Sequence, residues 1–395
     1  MHKHLSQKQP KSLLDDKETC RKLEFNNKRN EEQDQTENID AAGKAFKYEE
    51  QKHAYWNPEE FSLMYGTPFW EQASADQRLI LNHMYWVAYY SQIISAEIVT
   101  IYMNQVAAAG LYTLEDFRIV CNALDLETKQ ERAHIQAFKT VSEDTEWQLF
   151  GERLFTYPMR SLYQETMVFT ETNWVKEFWR KINLHAFCAL SSQNAFLGSQ
   201  YMLIRGLRTL NGKLVQQRLS KYYIQNPDKE ALPIPSAISY YHFMDESHHF
   251  NTSKIIGLEV TRSLPPPTTF EKWIINKGVE GCQRDHFHFS AVVNGIFWHE
   301  PAIFPTIYKL FRSKHFGMND GEAQDMLRRC FTEENEGIVR AKETHSIAHA
   351  SYKAFVEDVD HLSDANKAMQ LMGDNSIPRY LKQNQKSLRK FLHEL

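Results

Sequence analysis

A chain of 395 residues with 42% apolar content is long enough to bury a sizeable core. Its 15 glycines and 13 prolines are few for a turn-rich β protein, and a net charge of −4 excludes a general nucleic-acid binder. The five cysteines (Cys20, Cys121, Cys188, Cys282, Cys330) are odd in number and form no CxxC, which excludes a disulfide framework and points to a reducing, cytoplasmic compartment.

Residues 1–45, with "NNKRNEEQDQTENID", read as a disordered polar tail without a secretory signal. A helical bundle is expected over 46–262 and a helical extension packed on it over 263–395. Helices are expected at about 74–109, 114–140, 174–208, 213–225 and 236–257, with Ser236 capping the last. The stretch "MYWVAYYSQIISAEIVTIYM", residues 84–103, is apolar enough to suggest a membrane span. Ser95 and Glu97 at its centre would be costly in lipid, so it reads as a core helix and no span is expected. After a hinge at "SLPPPTTFEKW", further helices are expected at about 268–295, 299–313, 320–358 and 376–393. No repeat and no strand alternation is visible, so the fold class is all-α.

Two segments carry chemistry. "ETKQERAHIQAF" contains Glu131-x-x-His134, and "SYYHFMDESHHF" contains His242-x-x-x-Glu246-x-x-His249. Spacings of three, four and seven place side chains on one helical face. Either motif alone is a common solvated pair. Two of them in otherwise apolar helices match a bundle that presents Glu-x-x-His from each of two helices, the di-iron carboxylate arrangement. Glu97, beside Ile93, Ile94, Thr100 and Ile101, is a buried acid that must be ion-paired or metal-bound. Asp245 and His248 offer an alternative register for the second motif. His286, His288, His299 with Glu300, and the pair His345 and His349, lack a carboxylate at matching spacing and read as supporting or structural. Tyr89, Tyr90, Tyr240 and Tyr241 read as packing rather than radical hosts. There is no GxSxG, P-loop or dinucleotide fingerprint.

Glu97, Glu131-x-x-His134 and His242-x-x-x-Glu246-x-x-His249 together resemble the p-aminobenzoate N-oxygenase family of ferritin-like di-iron oxygenases. The extra histidine seven residues before the last is that family's mark, and His242 fills its place. The resemblance covers roughly residues 75–260. It implies a ferritin-like bundle, two Fe as cofactors, O2 as co-substrate, and Glu97, Glu131, His134, His242, Glu246 and His249 as ligands.

The family also places a glutamate on the third bundle helix. Here no carboxylate occurs from Phe178 to Asn226. Either the seventh ligand comes from elsewhere, with Glu171 and Glu177 nearest in sequence, or one iron lacks it. Antiparallel packing against 236–257 puts the expected metal depth near Asn194 and Gly198, which become candidates to line a halide position. "YWVAYYSQIISAEI" and "LETKQERAHI" look like the neighbouring branch, the dimetal-carboxylate halogenases of cylindrocyclophane type. That likeness implies chlorination of an unactivated carbon of a fatty acyl chain on an acyl carrier protein, with chloride as co-substrate and an external electron donor. An arylamine N-oxygenase and an acyl hydroxylase or desaturase are the alternatives on the same site. A carrier would dock on the basic stripe of "PRYLKQNQKSLRKFLHEL", where Lys382, Lys386 and Lys390 lie with Arg379 and Arg389.

Overall fold

A computed structural model describes residues 12–155, 174–226, 228, 232–286 and 303–395 of the chain. The described residues are all-α, with no strand among them. The longer helices are numbered in order: α1 (Lys17–Glu32), α2 (Thr36–Ala45), α3 (Ala75–Leu111), α4 (Arg118–Phe150), α5 (Trp174–Ser191), α6 (Ala195–Gln225), α7 (Ile234–Leu258), α8 (Thr269–His286), α9 (Ile303–Arg312), α10 (Asp320–Thr332), α11 (Glu336–Val356) and α12 (Ile377–Glu394).

Helices α3, α4, α6 and α7 pack together as the bundle that encloses the candidate site. A capping box begins α3: Ser74 Oγ accepts from Gln77 N–H, and the Gln77 side chain accepts from Ser74 N–H. From Leu81 to Ser95 it is mostly apolar because it is buried on every face. Tyr85, Trp86, Val87, Tyr89 and Tyr90 are all buried. Among the described residues it is the one helix long and apolar enough to cross a membrane, and Leu81–Ser95 lie within the protein core instead. Gly151, with φ at 69°, ends α4 in the left-handed conformation that glycine adopts without penalty. Helices α6 and α7 approach so closely that a methyl group at Gly257 would sit 2.7 Å from the Leu203 amide nitrogen.

Three boundaries differ from expectation. The segment 174–208 is broken at Ser192–Asn194, while no break separates 208 from 213. The Asn194 side chain accepts from Leu197 N–H and starts α6, which then runs unbroken through Gly206 and Gly212. Asn335 does the same by accepting from Ile338 N–H, splitting 320–358 into α10 and α11. Ser236 lies inside the first turn of α7 rather than at its cap, and its hydroxyl donates to the Trp56 carbonyl at 2.6 Å.

The expected tail is also corrected: residues 17–45 are helical and packed. Few of their side chains are apolar, but Leu13, Leu23 and Ile39 are fully buried. Buried amides, Asn26 and Asn30, replace the missing apolar surface with hydrogen bonds to the bundle. The C-terminal helices share a core with the bundle. Phe304, Phe311, Leu327 and Leu388 pack in the same cluster as Trp56, Tyr85 and Trp86.

Candidate metal centre

Each bundle helix except α6 brings a glutamate or histidine of the candidate set to one buried point. Glu97 comes from α3, Glu131 and His134 from α4, and His242, Glu246 and His249 from α7. All six are at most 8% exposed. Glu97, His134, His242 and Glu246 present ligand atoms within 4.8 Å of one another, and so do Glu131, Glu246 and His249. Glu246 belongs to both groups, which is the place of a carboxylate that bridges two ions.

The ring nitrogens show which atoms face the cluster. His134 Nδ1 lies 3.6 Å from Glu97 Oε1 and 3.4 Å from Glu131 Oε2. His249 Nδ1 lies 2.9 Å from Glu246 Oε1 and 3.4 Å from Glu131 Oε1. His242 turns Nε2 inward, 3.1 Å from Glu97 Oε1 and 3.6 Å from Glu246 Oε1. Behind two of the rings stand acceptors: His134 Nε2 meets Asp245 Oδ2 at 2.9 Å, and His249 Nε2 meets Gln130 Oε1 at 2.8 Å. An acceptor at Nε2 holds the proton there and leaves the Nδ1 lone pair for a metal.

Burial and charge act against each other here. Burial pushes the Glu97 carboxyl up, the Glu131 charge adds to this, and bonds to His134 and His242 only partly oppose it. For Glu131, burial and the Glu246 charge push upward, but His134 and His249 win and bring it to about 2. Burial lowers His249, yet Glu246 and Glu131 raise it to about 10. His134 is likewise raised well above its usual value: burial opposes this, and Asp245, Glu131 and Glu97 outweigh it. Without metal, protons on imidazole hold the carboxylates together, and a bound cation would displace them.

The donor set fits metal ions on a further observation. Glu97 Oε2, Glu131 Oε2 and His134 Nδ1 are fully buried and have no hydrogen-bond partner. Such atoms are costly unless something else satisfies them. Three carboxylates and three imidazoles of mixed hardness suit iron or a similar first-row cation.

The second motif's register is also resolved. Asp245 and His248 turn away from the cluster. Asp245 supports His134, and His248 Nε2 lies 2.9 Å from Gln33 Oε1. Asn194 and Gly198, expected beside the metals, are elsewhere. Asn194 Nδ2 donates to Glu271 at 2.8 Å. A methyl at Gly198 would lie 3.1 Å from the Ala107 carbonyl, and Ala107 is ten residues, about 15 Å, past Glu97 on α3. The reason is register. Leu203 packs at Gly257 and Tyr223 stacks on Tyr240 with ring centroids 4.8 Å apart, so α6 passes the depth of Glu246 between Leu203 and Tyr223, beyond Gly198. Glu171, His288, His299 and Glu300, and the side chain of Glu177, lie outside the described residues. His286 bonds Tyr352, and His345 and His349 bond the Met372 and Met369 carbonyls, all remote from the cluster. Tyr90 packs against the His242 ring at 5.7 Å with Tyr89 beside it, while Tyr240 and Tyr241 pack with Tyr223. Lys382, Lys386 and Lys390 are exposed on α12, with Leu388 buried opposite.

Sequence reasoning missed Arg205. The acid-free α6 delivers this guanidinium to Glu127 and Glu131, with Nη2 3.3 Å from Glu131 Oε1. The signal was the i,i+4 pair Glu127 and Glu131 on one face of α4, which carries more charge than the two motifs use.

The fold and site together define a helical-bundle protein with a buried carboxylate–histidine centre able to hold metal. The chain belongs to the family described as Acyl halogenase CylC-like, whose family model matches residues 18–392. No curated protein and no solved structure matches it. Membership makes the chain an enzyme of the acyl halogenases, in keeping with the likeness to the cylindrocyclophane-type halogenases.

Proposed function

We propose that the chain is a di-iron, O2-dependent halogenase that replaces one hydrogen of an unactivated aliphatic carbon with chlorine, on a fatty acyl chain borne by an acyl carrier protein in the cytoplasm. The observation that carries the reading is the ligand geometry: six buried ligand residues in two overlapping groups that share Glu246. Glu97, His134 and His242 would hold one iron and His249 the other, with Glu131 and Glu246 between them, in a ferritin-like bundle. Two irons about 3–4 Å apart would supply dioxygen activation and a coordination site for halide. Conversion of C–H to C–Cl with chloride is a two-electron oxidation, and O2 accepts four. Two further electrons and three protons must therefore arrive, which implies an external donor.

The protein's contribution is charge and exclusion. Within the ligand set, three carboxylates leave one positive charge on two ferrous ions, and Glu127 outside it is matched by Arg205. An anion meets that remaining charge. Between Leu203 and Tyr223, the stretch of α6 that passes Glu246, there is no acid, so no protein carboxylate from this helix competes with chloride. The Tyr89 and Tyr90 rings of α3 and the Phe138 ring of α4 keep that end of the cluster dry.

The test is to load the purified chain with Fe(II) without oxygen, then add O2, a reductant, an acyl-carrier substrate and chloride. Two irons per chain and a product with a chlorine isotope pattern, shifting to bromine when bromide replaces chloride, are expected. Glu246→Ala should lose most of the metal. Two irons retained in that variant at unchanged affinity overturns the ligand assignment. An oxidised product indifferent to halide, or a nitro product from an arylamine, overturns the halogenase reading.

A further inference from the structure

We infer that the N-terminal segment Asn30–Gln35 is a working part of the metal site, because it sets the ring orientation and tautomer of both His249 and His134. The inference rests on the metal reading above.

His249 can ligate through Nδ1 only if Nε2 carries the proton, and that requires an acceptor at Nε2. The acceptor is the amide oxygen of Gln130. An amide turns over at little steric cost, and its NH2 would then face His249 and favour the wrong tautomer. The N-terminal segment prevents this. Asn30 Nδ2 donates to Gln130 Oε1 at 3.1 Å, and Gln130 Nε2 donates to Asn30 Oδ1 at 2.9 Å. That reciprocal pair would survive if both amides flipped. Asp34 biases the choice, since its carboxylate only accepts and Gln130 is among the neighbours that hold its carboxyl down. The Gln130 nitrogen therefore faces Asp34 and Asn30, and its oxygen faces His249. The same segment reaches the other ring. The Gln35 amide N–H donates to Asp245 Oδ1 at 3.1 Å, and Asp245 Oδ2 receives His134 Nε2–H. Asn30 and Gln130 are at most 2% exposed, so their reciprocal bonds do not compete with water. Asn30, Asp34 and Gln130 are positioning residues, because they act on the metal only through a histidine.

The experiment uses the full chain loaded with Zn(II), with 15N-labelled histidine. In the wild type, His249 should show a metal-bound Nδ1 and a protonated Nε2. Asn30→Leu should weaken one of the two metal positions roughly 10- to 100-fold, the range for lost outer partners of a metal-bound histidine, and should change the His249 pattern. Asn30→Asp keeps an acceptor for Gln130 Nε2 and should restore both readouts. Asn26→Leu loses bonds only to the His248 carbonyl and Thr252 and should leave both unchanged. Gln130→Met removes the acceptor from α4 itself, so it decides the matter even if α1 variants fold poorly. Unchanged zinc affinity and tautomer in Gln130→Met, or Asn30→Asp failing like Asn30→Leu in a folded protein, overturns the proposal. A wild-type chain that binds no zinc, cobalt or iron instead overturns the metal reading.

Discussion

Arg205 holds one oxygen of Glu131 while the other, Oε2, has no hydrogen-bond partner and faces His134. The same guanidinium pairs with Glu127, and its Nη1 also reaches Asn104 Oδ1 at 3.4 Å. The guanidinium thus helps to fix the rotation of the carboxylate and leaves Oε2 unpartnered for a cation. This gives the acid-free helix α6 a physical meaning. Its charged contribution at this depth is a cation, which contacts two buried acids of α4 before any metal is present.

Arg205→Met should therefore destabilise the metal-free chain by about 3–5 kcal/mol, the typical penalty for leaving buried charge unpaired. The urea midpoint of unfolding measures it. Arg205→Met combined with Glu127→Gln removes one of the stranded charges and should recover part of the loss. Metal should stabilise Arg205→Met more than it stabilises the wild type, since a cation then takes over the pairing of Glu131. Equal midpoints for wild type and Arg205→Met would show that the pair contributes nothing.

The six cluster residues were legible because helical spacing alone places them on one face, and because an acid such as Glu97 among isoleucines needs a partner. The α-helical class was legible for the same reason. The depth of α6 was not. It depends on a helix break at Asn194, where one side-chain cap outweighs continuous apolar patterning, and on the close approach at Gly257. The N-terminal helices were hidden because Asn26, Asn30, Gln33 and Asp34 look like solvated residues. Their partners, Gln130 and His248, lie about a hundred or more positions away, and no local pattern connects them.

Gly212 offers a test of the halide position. A Cβ there would meet only Gln216 Nε2 at 3.9 Å and Tyr89 Oη at 4.0 Å, so a side chain fits. Gly212→Glu should extend a carboxylate from beside Tyr89 toward the metals and compete with chloride. Chlorination should fall roughly tenfold or more, with hydroxylation or no product in its place. Gly212→Ala should keep chlorination as the main outcome. The check is halide binding to the iron-loaded protein by its absorption spectrum, alongside product analysis. A Gly212→Glu enzyme that binds chloride and chlorinates like the wild type would place the halide elsewhere.

The last prediction concerns the partner that delivers the acyl chain. Helix α12 buries Tyr380, Asn384 and Leu388 and exposes Arg379, Lys382, Lys386, Arg389 and Lys390. Arg379 is engaged by Asp374 at 2.9 Å, and Lys390 has Glu394 at 3.9 Å. These are exposed pairs that an incoming acidic surface can outcompete. We propose that an acidic acyl carrier protein docks on this stripe. Each charge contributes modestly, and the attraction weakens as salt rises through the Debye regime. Reversing Lys382, Lys386 and Lys390 to Glu together should lower turnover of a carrier-bound substrate, chiefly through a higher KM. A short thioester mimic should be processed as before, because the buried side of α12 is untouched. Raising salt should reduce the wild-type rate with the carrier and leave the mimic unaffected. Equal loss on both substrates would mean that the substitutions damage the fold, and no loss on either would place the docking surface on another face.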